Sequence, residues 1–410
     1  MRAVFLDHAA ATPLLPEAYE AMRPFLTDHF GNPQSFHHFG TPAREAVENG
    51  RGQVAALINA PTESIIFTAS ASESNNLAIK GFAEANRAQG RHIVVSAIEH
   101  ISVLAPVRSL KRQGFDVTEV GVDRQGVVHP EELAKAIRAD TILVSVMHAN
   151  NEIGTIQPLA ALAQVCREKK VPIHSDGTAA VGRIPVDMAA LGVDAYSFSA
   201  QSCYGPKGAA VLYLKPGGRI NPLIEGGVQE KGRRAGTENV AAIAGMGKAA
   251  EVTRERLSEW AAKMTQLADR LITELPRRIP RLVFTGHPTQ RLPGHVSLCV
   301  EFVEGEALLL LLDDEGIAAA SGSACTARSL KASHVLLAIG LNHALAQSSL
   351  VFTLGKDNTR ADVDYLLEKL PPIVERLRAL SPLYAKYRKG ADPYAVAPGQ
   401  RTSPEENEEH

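Results

Sequence analysis

Asp176 closes the run VPIHSD, so a carboxylate stands at the end of what reads as a buried strand. A charge there is costly unless a cation or hydrogen-bond donor meets it. The protonated ring nitrogen of a bound cofactor is one such partner, and capping of a following helix is the other reading. His100, in SAIEHIS, follows a second strand-like run and either stacks on a flat ligand or caps the next helix. The segment TASASESNN (68–76) puts hydroxyls and backbone N–H groups at the start of a helix, whose unpaired donors and dipole favour an anion. Serine is also an ordinary helix opener. SGSACTARSL (321–330) surrounds Cys325 with small and hydroxylic residues on a predicted exposed loop, whereas Cys166 and Cys299 have apolar surroundings. Cys325 is therefore the predicted reactive thiol, with an inert loop thiol as the alternative. No G-x-G-x-x-G follows a strand, no G-x-x-x-x-G-K-[ST] loop is present, and QSCYG around Ser202 is not a G-x-S-x-G elbow. Dinucleotide, P-loop and serine-hydrolase chemistry are excluded.

The elements that must position these residues show one rhythm. Apolar runs at 64–69, 92–97, 116–122, 141–149, 171–177, 195–200 and 209–214 alternate with segments of helical length. Strands of this kind joined by helices predict an α/β domain with a mostly parallel seven-stranded sheet covered on both faces. A long helical pattern from Glu238 toward Pro276 leads into strand, strand, helix, helix, strand, helix, a smaller α+β domain whose last helix is expected to be interrupted at Pro371 and Pro372. We expect a large domain over 1–260 with an N-terminal arm, a small domain over 261–390 carrying the cysteine loop, and a disordered tail over 391–410, where Lys, Gly, Pro, Gln and Glu dominate.

Composition bounds the partners. With 43 Lys plus Arg against 45 Asp plus Glu and 5% aromatic residues, no basic face for nucleic acid or an anionic membrane is expected. The longest purely aliphatic block, Leu308 to Leu312, is far short of the about 20 residues a bilayer span needs. The short apolar stretch before Asp7 does not read as a signal peptide, which predicts a cytoplasmic protein whose four cysteines are unpaired.

The segments FLDHAAATPL (5–14), FGNPQSFHHFG (30–40), FTASASESNNLAIKG (67–81), HANNEIGTIQP (148–158), HSDGTAAVGR (174–183), SFSAQSCYGPKG (197–208), RRAGTENV (233–240), SGSACTARSL (321–330) and SSLVFTLG (348–355) together resemble the cysteine desulfurases, the NifS/IscS-like branch of the class V aminotransferase superfamily. The resemblance implies fold type I of the pyridoxal 5′-phosphate transferases, and the long flanks of the cysteine loop resemble the group serving iron–sulfur assembly. In that family the cofactor forms a Schiff base with a lysine, cysteine displaces it, and a loop cysteine takes the substrate sulfur as a persulfide, leaving alanine. Carried over, Asp176 would pair with the ring nitrogen, His100 would stack on the ring and shuttle protons, and Asn151 would approach the ring oxygen. Ala71, Ser72, Ser199 and, from the partner subunit of a homodimer, Thr237 would hold the phosphate. Cys325 would carry the persulfide.

The departures concern one ligand. Ser202 stands at the Schiff-base lysine, Gln201 at a phosphate-binding histidine, Ala179 at a glutamine facing the ring oxygen, and Val351 at the arginine that binds the substrate carboxylate. Lys207 is not an obvious replacement, because the family resemblance already gives a lysine there and Gly205 and Pro206 fix its direction. The expectation is a degenerate desulfurase homologue with pyridoxal 5′-phosphate held non-covalently or absent. Cys325 would then accept sulfur made elsewhere or ligate an iron–sulfur cluster, alongside a scaffold or sulfur-acceptor protein. A working desulfurase with a non-standard site and a non-catalytic structural or regulatory subunit are the alternatives.

Overall fold

Short runs rich in β-branched and aromatic residues, most of them followed by a loop and a helix, become the strands of the large sheet. The computed structural model describes residues 2–322 and 332–390. After β1 (Val4–Phe5) come β2 (Ile65–Thr68), β3 (His92–Ser96), β4 (Asp116–Val120), β5 (Thr141–Ser145), β6 (Ile173–Asp176), β7 (Ala195–Ser199) and β8 (Ala210–Leu214). The last seven form one sheet in the order β2-β8-β7-β6-β5-β3-β4. β8 is antiparallel to β2 and β7, and every other pairing is parallel. All but the edge strand β4 are buried at every position, as helical cover on both faces requires. Because β8 is reversed, its first residue, Ala210, pairs with both Thr68 and Ser199, so the segment just before it lies among the C-terminal ends of its neighbours.

The helices Gly40–Leu57 and Val240–Arg278 cross closely: a Cβ on Gly247 would lie 2.6 Å from Gly50 Cα. The second of these is 39 residues long and carries the chain to the smaller unit, so a division at 260/261 falls inside it. There β9 (Leu282–Phe284), β10 (His295–Val300) and β12 (Ser349–Thr353) make an antiparallel sheet, while β11 (Ile317–Ala318) pairs in parallel with β1. The N-terminal residues are thereby stitched to the C-terminal unit.

One expectation is corrected. The helix Arg360–Leu380 is continuous through Pro371 and Pro372. Pro371 has no N–H for the carbonyl four residues back, Leu367 O, and Arg278 Nη1 donates to that oxygen instead at 3.1 Å. A guanidinium from the neighbouring helix thus replaces the missing donor. Cys166 and Cys299 are buried and unpaired as expected, and burial pushes each thiol up to about 12. Cys325 and the tail 391–410 lie outside the described residues. No helix among the described residues is long and apolar enough to cross a membrane.

Candidate active site

Strand ends in an open α/β sheet leave backbone and side-chain groups pointing into a crevice. Here a cavity of about 410 Å³ opens at the ends of β5, β6 and β7, walled on its far side by residues near β1 and β12. It brings together Ala71, Ser72, His100, Asn151, Asp176, Ala179, Ser199, Gln201, Ser202 and Val351, ten positions singled out in the sequence.

Asp176 ends β6 and is 4% exposed. Its Oδ2 accepts from Asn75 Nδ2 at 2.7 Å and its Oδ1 from the Thr178 N–H at 2.9 Å. No cation lies within ion-pair distance among the described residues. The capping reading is corrected, since a turn and no helix follows β6: the side chain closes that turn, and the carboxylate lines the cavity without an ion-pair partner among the described residues. Gly177 allows the arrangement, since a Cβ there would meet the Tyr196 ring at 1.9 Å. That ring is fixed by a 2.7 Å hydrogen bond between its hydroxyl and His148 Nδ1.

His100 takes the capping role that was one of its two readings, and it also faces the cavity. It is the N-cap of the helix Ile101–Arg112, with Nδ1 accepting from the Ser102 N–H at 3.1 Å, and it lines the cavity. Ser102 Oγ also receives Asn75 Nδ2 at 2.8 Å, so His100 and Asp176 are tied through Asn75 and Ser102. At the other end, Ser70 Oγ caps the helix Ala71–Ala85 by accepting from the Glu73 N–H. The N–H groups of Ala71 and Ser72 have no acceptor among the described residues. Ser199 Oγ lies 3.2 Å from Ser202 Oγ, and Gln201 Nε2 donates to Ala10 O at 3.4 Å. Ala179 and Val351 contribute only apolar surface.

Thr237 does not line this cavity. It lies with Glu230, Arg234 and Glu238 around a second cavity of about 210 Å³, which shares Ala69 and Gly208 with the first. Lys207, which the sequence reading did not take as an obvious replacement for the Schiff-base lysine, lines the first cavity.

Sequence reasoning missed several polar residues of the wall: Asp7, His8, Glu152, Arg183 and His295. Four of them fall inside family-like segments where nothing local sets them apart, and His295 belongs to an apolar strand. Burial holds the His8 imidazole down at about 4 and His295 at about 3, so both are neutral at pH 7. Burial raises the Glu152 carboxyl to about 7 although Ser333 Oγ donates to it. Behind the wall, fully buried Glu99 is raised to about 8 by burial, against hydrogen bonds from Ser96 Oγ at 2.5 Å and the Met147 N–H at 2.7 Å.

A mixed seven-stranded sheet with its crevice at the strand ends, joined by one long helix to a small α+β unit, is fold type I of the pyridoxal-phosphate transferases. The aminotransferase class-V family model matches residues 4–366. Similar proteins include the cysteine desulfurase IscS of Dictyoglomus turgidum, 48% identical over 94% of this chain and 98% of that protein. Another is IscS 1 of Archaeoglobus fulgidus, 47% identical over 93% and 100% of the two chains. Among solved structures, a NifS-like protein matches with a TM-score of 0.86 at 36% identity, covering 92% of this chain and 100% of its own. The chain belongs to the class V aminotransferase family, in its NifS/IscS-like cysteine desulfurase branch.

Proposed function

We propose that this chain is a cysteine desulfurase homologue of iron–sulfur cluster assembly or sulfur transfer that lacks efficient pyridoxal-phosphate-dependent desulfuration. Cys325 accepts a persulfide sulfur or ligates a cluster. The observation that carries this reading is Ser202, a hydroxyl in the cavity of Asp176 and His100 at the position where the family resemblance calls for the lysine amine. A hydroxyl forms no imine, and general acid–base catalysis of the kind that amine supplies is worth about 10²–10⁴-fold.

The remaining residues fit pyridoxal 5′-phosphate at both ends. Asp176, a buried carboxylate without a cation, suits a protonated ring nitrogen, and the Ala71 and Ser72 N–H groups with the Ser199 hydroxyl suit a phosphate. When bound, the cofactor supplies an electron sink. The chain's own side chains would hold it: Asp176 would take the ring nitrogen, Asn151 the ring oxygen and His100 a ring face. Because His100 Nδ1 accepts from the Ser102 N–H, the neutral ring holds its proton at Nε2. We further propose a homodimer in which Thr237 completes the neighbouring subunit's phosphate site, working in the cytoplasm with an iron–sulfur scaffold or a sulfur-acceptor protein.

Sulfide release from L-cysteine and pyridoxal phosphate tests the reading. The purified protein should release none above a Cys325→Ala control. Incubated with a protein persulfide donor, Cys325 should take the terminal sulfur while the donor regains its thiol. Robust Cys325-dependent sulfide release overturns the proposal. One observation favours a second reading, an active desulfurase with a non-standard site: Lys207, an exposed residue, lines the same cavity, and its side chain has no hydrogen bond or ion pair among the described residues. Borohydride reduction and peptide mapping separate the two, since cofactor fixed to Lys207 supports the second and unmodified peptide the first.

A further inference from the structure

Arg183 is 8% exposed, lies in the turn region after β6, and lines the cavity. One nitrogen, Nη1, is committed: it donates to Leu354 O at 2.9 Å and Pro293 O at 3.2 Å and touches the Met264 sulfur at 3.8 Å. Its Nε and Nη2 have no acceptor, and no carboxylate pairs with it, among the described residues. Neither nitrogen is sealed from solvent. The two imidazoles near it, His8 and His295, are uncharged at pH 7 and do not compete for an anion. Leu354 directly follows β12, the strand that carries Val351.

A guanidinium stays protonated in a protein, and a buried unpaired one is costly unless something meets it. We propose that Arg183 is an anion subsite that takes the carboxylate of a small amino-acid ligand in this cavity, through its unpaired Nε and Nη2 edge. The inference rests on the reading of the cavity as the ligand site and deepens it. Val351 offers a carboxylate nothing but methyl groups, and the guanidinium that can hold one comes from a different strand end. The anchoring of Nη1 by two carbonyls leaves the fork pre-oriented, which is what a bidentate carboxylate contact needs.

Calorimetric titration of the full-length protein, kept reduced, with L-cysteine and with cysteamine tests this. The two probes share thiol and amine and differ by the carboxylate. L-Cysteine should bind about 10–100-fold more tightly, the effect of a charge-assisted hydrogen-bonded contact. Arg183→Met should abolish that preference, and Arg183→Lys, which keeps the charge without the fork, should retain part of it. Equal binding of the two probes by the wild type, no binding of either, or a preference that survives in the Met variant overturns the inference. If the Met variant does not fold, as judged by its melting curve, the Lys variant decides, and a fully retained preference there is the refuting result. Sulfide release and Cys325 loading are read separately, so failure here leaves the proposed function standing.

Discussion

Asp176→Asn isolates the charge at the floor of the cavity from its role in the fold. In the wild type the carboxylate has two donors, the Asn75 amide and the Thr178 N–H, and no cation. The variant's amide oxygen keeps the Thr178 bond, but its nitrogen faces Asn75 Nδ2, donor against donor. Asn75 Oδ1 is buried without a partner, so a half-turn of that amide presents an acceptor to position 176 at the loss of its bond to Ser102 Oγ. The stability change should therefore stay within about 1 kcal/mol, the net worth of one ordinary hydrogen bond. Ligand binding should respond more strongly. A hydrogen bond between a protonated ring nitrogen and a carboxylate is worth about 1.5–3 kcal/mol, so the dissociation constant for pyridoxal 5′-phosphate should rise about 10–100-fold. Absorbance titration with pyridoxal phosphate, paired with thermal melting of the same samples, reads both quantities. Unchanged affinity in a variant that melts like the wild type would refute the assignment of Asp176 to the ring nitrogen.

Three other perturbations test separate parts of the reasoning. The Glu99 carboxyl titrates at about 8 in the fold against 4.5 when exposed, so between those values the folded chain holds a proton that the unfolded chain has lost. Its contribution is complete below the lower value and is lost as pH rises through the upper one; the melting temperature should fall from about pH 5 to about pH 8 in the wild type, level off above that, and fall less in Glu99→Gln, with parallel curves counting against it. Ser202→Lys returns an amine to the wall, and after borohydride treatment mass spectrometry should find pyridoxal phosphate fixed at position 202; recovery of the cofactor elsewhere or not at all would show that the amine cannot reach it. Arg51 and Glu230 make a bidentate pair at 2.8 Å with the glutamate side chain 2% exposed, so Glu230→Ala should cost about 3 kcal/mol in denaturant unfolding by leaving the Phe67 N–H without its acceptor and the largely buried guanidinium with only Glu48 and the Ile65 carbonyl.

Legibility in the sequence followed the range of the interaction involved. Each strand of the large sheet falls inside an apolar run, because strand burial on both faces is written locally in β-branched residues. The capping role of His100 was legible, since it stands at the first residue before a helix and its Nδ1 can reach the second N–H of that helix. Continuity through Pro371 was not legible, because the donor that rescues Leu367 O is Arg278, distant in sequence. Arg183 was missed for the same reason. Nothing near it in the chain tells that its Nη1 reaches carbonyls of residues 293 and 354. Local patterns distinguish which residue types arrive at a strand end, and only the assembled fold tells which of their atoms are left without partners.

The two unpartnered charges bear on whether the cavity still has a ligand. Asp176 and Arg183 are both nearly buried, opposite in sign, and neither reaches the other or any third ion among the described residues. An empty pocket of this shape would be more stable with uncharged groups at both places, because desolvation is compensated here only by neutral dipoles. A ligand carrying a cationic ring at one end of its reach and a carboxylate at the other would neutralise both at once. The Ser202 hydroxyl cannot form an imine, and that complementarity does not depend on one. If the charges serve such a ligand, pyridoxal phosphate together with an amino acid should raise the melting temperature more than either alone, and Arg183→Met should erase only the amino acid's share. Ligand-free Arg183→Met that melts higher than the wild type would show directly that the guanidinium is held at a cost to the fold. Equal melting in every combination would mean the surrounding dipoles satisfy both charges and the cavity has no need of a ligand.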